Sequence, residues 1–214
     1  MQYLDIDSWN RKEHYHLFKD FEDPFFGLVA DVEISQTATY CKEKGYSLFL
    51  FYHYACSLAV NQIEAFRYRI VEDKVAIYDT IHVGTTVMRP DHTFSFSFIP
   101  HTDTFEEFQW AGKAEVDRIM KISGIGINEN TSRTDAIYYS TVPWVTFSGL
   151  KHAKTFAFKD SVPRISFGKI YTEHDKKMMP TSIHAHHALM DGYHVGLLFD
   201  NFQTLLNHPE KIDS

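Results

Sequence analysis

Apolar and polar residues alternate from Phe26 to Ile34 (FGLVADVEI), the two-residue period of a strand whose faces meet different surroundings. The period changes after that. From Ser47 to about Ala65 the chain has the length and apolar density of a buried helix, and a short amphipathic helix fits between the two segments. Residues 67–79 (RYRIVEDKVAIYD) hold two short β-rich runs around a Glu-Asp-Lys turn, and VGTTVMR and HTFSFSFIP supply further strands. Between Thr104 and Ile122, Phe105, Phe108, Ala111, Ala114 and Ile119 fall near helical spacing, with Asp103 or Thr104 placed to cap the helix. A Gly- and Asn-rich loop follows from Ser123 to Thr134. IYYSTVPWVTF then reads as a strand ending at Pro143, and RISFGKIYTEHDKKMMPTSIHAHHAL as two strands joined by a charged turn at Glu173 to Lys177. A helix from about Gly192 to Leu206 closes the chain. Helices and antiparallel-looking strands alternate irregularly, which predicts an α/β two-layer sandwich of a mixed, largely antiparallel sheet covered by helices, not a doubly wound parallel sheet. No composition break, linker or repeat divides the sequence, so residues 1–214 read as a single domain.

Composition narrows the function classes. With 18 Phe and 12 Tyr among 214 residues, apolar material is ample for a large core. A formal charge of −7 without a basic run argues against electrostatic capture of nucleic acid or anionic membrane. Cys41 and Cys56 form no C-x-x-C pair and suggest no disulfide framework, which fits a reducing compartment. The N-terminal stretch lacks a secretory pattern, and the apolar stretch from Leu48 to Val60 is too short to span a bilayer. The expectation is a soluble cytoplasmic protein.

Chemistry concentrates near the C-terminus, where His184, His186, His187 and His194 flank Met190-Asp191-Gly192. In a strand, Thr181, Ile183, Ala185 and His187 share one face, and Ser182, His184 and His186 the other. His187 would then stand on a small, apolar face, where desolvation favours the neutral imidazole that a proton acceptor requires. The same residue could equally be a satisfied core histidine. A metal site built on His184 and His186 lacks an H-x-x-x-H helix, a C-x-x-C pair or an evident carboxylate partner, so no metal is expected. Asp191 is a natural N-cap for the closing helix, and Gly192 eases the strand-to-helix turn.

The segment His186-His187-Ala188-Leu189-Met190-Asp191-Gly192-Tyr193-His194-Val195 resembles the HHAVCDGFH signature of chloramphenicol acetyltransferases, and its wider H-x-x-x-D-G pattern occurs also in dihydrolipoamide acyltransferase catalytic domains. Trp9-Asn10-Arg11-Lys12-Glu13-His14 is similar to that family's W-x-R-[KR]-E-H, and Ser140-Thr141-Val142-Pro143-Trp144 to its S-x-x-P-W. Weaker similarity fills the gaps: VNQIEAFRYRI resembles a VN…EFR segment, TFSFSF a TETFSAL-like strand, and Ile165-Ser166-Phe167-Gly168-Lys169 an IxTMGK strand. The likeness runs from about Trp9 to Leu206.

That resemblance implies a chloramphenicol acetyltransferase-like sandwich, a homotrimer with active sites at subunit interfaces, and acetyl-CoA as cosubstrate. It places the general base on His187 and an oxyanion hydrogen bond on Ser140. Arg11 and Asp191 would brace the catalytic loop as an ion pair. Ser166, which stands where the family has Thr, would contact water or the oxyanion. Phe94 matches a pocket-side Phe, and Phe18 stands where the family tends to show Tyr beside the antibiotic. The stretch Leu17 to Pro24 is otherwise unlike the familiar enzymes, and Met190 replaces a Cys. The implied activity is O-acetylation of chloramphenicol or a similar hydroxylated acceptor, with antibiotic resistance as its associated role. An acyltransferase for another acceptor, such as a dihydrolipoamide-like thiol or small alcohol, and a non-catalytic ligand-sequestering trimer are the alternatives.

Overall fold

A computed structural model describes residues 1–153 and 160–213. Its main sheet is built around β10 (Lys176–His186), which pairs antiparallel with β2 (Phe25–Glu33) on one side and β8 (Arg164–Gly168) on the other. Beyond β8 come β7 (Ala136–Val142), β5 (His82–Met88) and the edge strand β6 (Phe94–Ile99), giving the order β2-β10-β8-β7-β5-β6. The β7–β8 and β5–β7 pairings are parallel and β5–β6 is antiparallel, so the sheet is mixed and mainly antiparallel, as expected. A second, three-stranded sheet joins β1 (Gln2–Tyr3), β4 (Lys74–Ile77) and β3 (Tyr68–Val71).

Tyr139, Ile165, Phe167 and Ile183 point to one face of the main sheet and are 3 % exposed or less. The helices α3 (Leu48–Asn61) and α5 (Gly192–Asn207) cover that face: Tyr52 and His53 meet Phe167 edge-on, and Phe202 packs on it at 6.0 Å. Ten residues of α3 are buried, because α2 (Ser35–Lys44), α4 (Phe105–Ile119) and α5 enclose it from the other sides. Its start is fixed by Ser47, whose hydroxyl accepts from Leu50 N. Thr104 caps α4 in the same way, the alternative Asp103 being one residue too early. The helix ends at Ile119, short of the expected Ile122.

The opposite face of the sheet carries Ser140, Ser166, Ser182, His184, Phe94 and Phe96, and loop side chains reach it, Phe147 at Gly168 and His152 at Ser166. Gly168 is required there, since a Cβ would lie 2.9 Å from the Phe147 ring.

The region from Arg164 to His186 corrects the two-strand expectation. It forms three strands, because the chain leaves the sheet after Gly168 and returns as β9 (Tyr171–Glu173), paired with β10. The turn is two residues long, with His174 and Asp175 at φ 47° and 64°, the left-handed geometry that matches strand twist. Glu72 and Asp73 make the equivalent turn between β3 and β4 at φ 49° and 59°.

Buried within the helical layer, His53 is satisfied as a neutral ring: Nδ1–H donates to Phe49 O at 2.8 Å and Nε2 lies 3.2 Å from Thr85 Oγ1. Desolvation pushes its pKa down to about 4, against a partial opposing effect of the Phe49 hydrogen bond. Unfolding returns the ring to the ordinary value near 6.5, so the unfolded chain binds a proton that the folded one refuses. Stability contributed by His53 is therefore complete above about pH 6.5 and is lost as pH falls toward 4. Urea unfolding at pH 7 and pH 5 should differ by roughly 2 kcal/mol from this residue alone. His53→Gln is expected to flatten that slope, leaving a residue from His82 and His101, whose pKa values burial also lowers.

Candidate active site

β10 stops at His186, and the next five residues fold into a turn instead of continuing the strand. Leu189 N and Met190 N donate to His186 O at 3.0 and 3.2 Å, while His187 N donates to Pro24 O at 2.8 Å. His187 thus lies one residue past the end of β10 and keeps the expected face of Ile183 and Ala185, since its ring meets Phe26, the β2 partner of Ala185. Its ring lies flat against Phe18, with centroids 4.2 Å apart and planes 10° apart, and Phe26 closes the other approach at 4.7 Å. Met190 O is 3.2 Å from His187 Nδ1. A carbonyl can only accept, so Nδ1 carries the hydrogen and Nε2 presents its lone pair. That is the tautomer a general base needs.

Arg11 holds the turn from behind. It lies at the N-terminus of α1 (Lys12–Phe18), where Trp9 anchors the preceding chain edge-on against Tyr68 at 5.6 Å. Arg11 Nη2 donates to His187 O at 3.2 Å, and Nη1 pairs with the Asp191 carboxylate. One guanidinium thus ties together both ends of the segment from 187 to 191. Asp191 also caps α5, as expected, by accepting from Tyr193 N at 3.1 Å, and His194 Nδ1 lies 3.0 Å from the same carboxylate. Burial alone would raise the Asp191 pKa; hydrogen bonds from Arg11 and His194 and the Arg11 charge outweigh it and hold the carboxyl below the ordinary range.

The remaining candidates form a second cluster. Ser140 on β7 is in register with Ser166 on β8, which is in register with Ser182 on β10. Ser140 is half-buried, whereas Ser166 is fully buried with its hydroxyl 3.3 Å from His152 Nε2. Phe94, 51 % exposed, stands further along the same face at the sheet edge.

The two clusters do not meet within the chain. Ser182, level with Ser140, precedes His187 by five residues and lies two strands away from β7. At about 3.3 Å per residue and about 4.8 Å per strand, roughly 19 Å separates the backbones of His187 and Ser140. Phe18, expected beside a substrate, stacks on the ring of His187. The sequence reading missed Phe26, the Met190 carbonyl and His152. Only Phe26 had a signal, since it alternates in the strand that follows Pro24; the others depend on turn geometry and on a loop crossing the sheet.

Comparison with known proteins places this geometry in a family. The family model for chloramphenicol acetyltransferase matches residues 1–203. Chloramphenicol acetyltransferase of Proteus mirabilis is 27% identical over 211 residues, covering 94% of this chain and 92% of that protein. The Bacillus pumilus enzyme of the same name is 25% identical over 206 residues, covering 96% and 93%. A solved chloramphenicol acetyltransferase superposes with a TM-score of 0.87 at 27% identity, over 96% of this chain and 99% of that one. The dihydrolipoamide acetyltransferase of Azotobacter vinelandii shares the fold alone, with a TM-score of 0.69 at 12% identity, over 94% and 88%. The matched family model, spanning the Arg11, Ser140, His187 and Asp191 positions, shows that the chain belongs to the chloramphenicol acetyltransferase family.

Proposed function

We propose that residues 1–214 form a single acyltransferase domain that moves an acetyl group from acetyl-CoA to a hydroxyl of chloramphenicol or a similar small acceptor. The observation that carries this reading is the bond between His187 Nδ1 and Met190 O, which leaves Nε2 as the one ring atom able to take a proton. In the reaction Nε2 removes the hydroxyl proton as the acceptor oxygen attacks the thioester carbonyl. The resulting oxyanion accepts from the Ser140 hydroxyl. When the tetrahedral intermediate collapses, the carbon–sulfur bond breaks and the CoA thiolate takes the proton back from Nε2. No acyl-enzyme forms, and proton and charge balance over the cycle. Phe18 and Phe26 keep the ring from rotating, so the lone pair stays on its line of attack.

Because His187 and Ser140 lie far apart in one protomer, the reading also requires that Ser140 of one copy serve His187 of another. A homotrimer with its active sites at the subunit interfaces meets that requirement, and Ser166 and Phe94 belong to the Ser140 side. The expected setting is cytoplasmic, with antibiotic resistance as the associated role.

His187→Ala should lower turnover by about 10²–10⁴-fold, the usual share of a general base, without changing the oligomeric state. CoA-thiol release from acetyl-CoA with and without chloramphenicol measures it; a fully active variant would remove the assignment. Arg11→Ala, which strands the Asp191 carboxylate and the His187 carbonyl, should cost roughly 1–3 kcal/mol in urea unfolding. Asp191→Asn, which keeps a capping oxygen, should cost less and retain most of the turnover. Mixing inactive His187→Ala and Ser140→Ala proteins under conditions that exchange subunits should restore activity, since some interfaces then pair an intact His187 with an intact Ser140. Activity that never returns after confirmed exchange would put both residues in one protomer's site.

A further inference from the structure

Around Ser140 the sheet face that the proposed reaction uses is unusually rich in hydrogen-bonding groups. Two successive rows cross β7, β8 and β10 in register: Tyr138, Arg164 and His184, then Ser140, Ser166 and Ser182. All six positions carry a hydroxyl, an imidazole or a guanidinium. His152 extends the same chemistry from the loop above, with Nε2 on the Ser166 hydroxyl and its ring edge-on to His184 at 5.0 Å.

Among the described residues, two of these donors lack an acceptor. Ser182 Oγ is fully buried and makes no hydrogen bond. Arg164 gives Nη2 to the Asp160 carboxylate and lies over the Phe25 ring at 5.0 Å, but its buried Nη1 has no partner. Buried donors without acceptors are costly and uncommon, and they are kept where a ligand or water supplies the missing oxygens. The Arg164 guanidinium is also well directed. From β8 it reaches past β10 to Phe25 on β2, on the sheet face that carries Ser166 and Ser182. A planar fork with one edge satisfied by Asp160 and the other unfilled is matched by a second oxyanion.

We infer that the acceptor alcohol carries an oxyanion, a carboxylate or a phosphate, which Arg164 binds beside the Ser140 row. This rests on the acyl-transfer reading above and narrows its acceptor class. Arg164 and Ser182 would then decide which alcohol is used, while His187 carries out the proton transfer for any alcohol that is held.

The test keeps the reacting hydroxyl and varies only the charge. Chloramphenicol is compared with two analogues in which malonyl or phosphonoacetyl replaces its dichloroacetyl group, and kcat/KM for acetylation is measured with each. Wild type should favour one charged analogue by about ten- to hundred-fold, the usual weight of a charged hydrogen bond, and the analogue it favours separates carboxylate from phosphate. Arg164→Leu should reduce the ratio of charged to neutral kcat/KM by at least about tenfold, and Ser182→Ala by less. Because Arg164→Leu strands Asp160, the double variant Arg164→Leu/Asp160→Asn repeats the test with the whole ion pair removed. A wild-type preference for chloramphenicol whose ratio neither variant moves, with His187→Ala inactive, would overturn the anionic acceptor and leave acyl transfer standing. Transfer to none of the three would overturn both.

Discussion

The bridge made by Arg11 is the interaction on which the site depends. Beyond His186 the sheet no longer holds the chain, and a five-residue turn would be free to take many conformations. Arg11 removes that freedom by binding the His187 carbonyl and the Asp191 carboxylate with two nitrogens of one rigid fork. The constraint is long-range, since Arg11 and His187 are 176 residues apart. It is effective only because the N-terminal segment is itself fixed, by Trp9 on Tyr68 and by the pairing of β1 with β4. The small sheet, which has no part in the proposed chemistry, therefore anchors the residue that shapes the turn carrying His187.

The same logic explains why β10 must be in register with its neighbours. Near its end, alternate residues divide between Ile183 and Ala185, buried on the helical face, and Ser182, His184 and His186 on the other. A slip of one residue would exchange the two sets, placing Ser182 and His184 in the helical core and Ile183 among the serines. It would also move the end of the strand relative to Pro24 and Phe26, and with it the place where His187 leaves the sheet. Core packing and site geometry are thus selected by one alternation.

How much of this was legible in the sequence follows from the range of each interaction. The long elements were, because periodicity and capping are local: β2, α3, α4 and α5 lie where the apolar pattern put them, and Asp191 caps α5 as its position suggested. Arg11, Ser140, His187 and Asp191 were legible as motif residues, and the structure joins three of them in one turn. β9 was not, since three residues after Gly168 carry too little alternation to separate from the long strand that follows. The face of His187 was legible, because the alternation of β10 carries one residue past its end, where the His187 ring meets Phe26. His152 was invisible, as only the crossing of a loop over β8 brings it to Ser166.

The separation of the two clusters gives the fold its particular economy. In its proposed role as general base His187 must be held still, and Phe18, Phe26 and the Met190 carbonyl restrain it. A hydroxyl that stabilises an oxyanion needs less restraint in itself but must be aimed at a point defined by two substrates. With Ser140 on a mixed sheet face roughly 19 Å from His187 in the same chain, the face proposed to hold the acceptor could vary without disturbing the turn that holds the imidazole. The helical face cannot vary in that way, because Phe167, Ile165 and Ile183 are all fully enclosed there. Under the proposed reaction, changes in acceptor chemistry would therefore fall on the face carrying Arg164, Ser166 and Ser182, while the turn held by Arg11 and the Met190 carbonyl stays as it is.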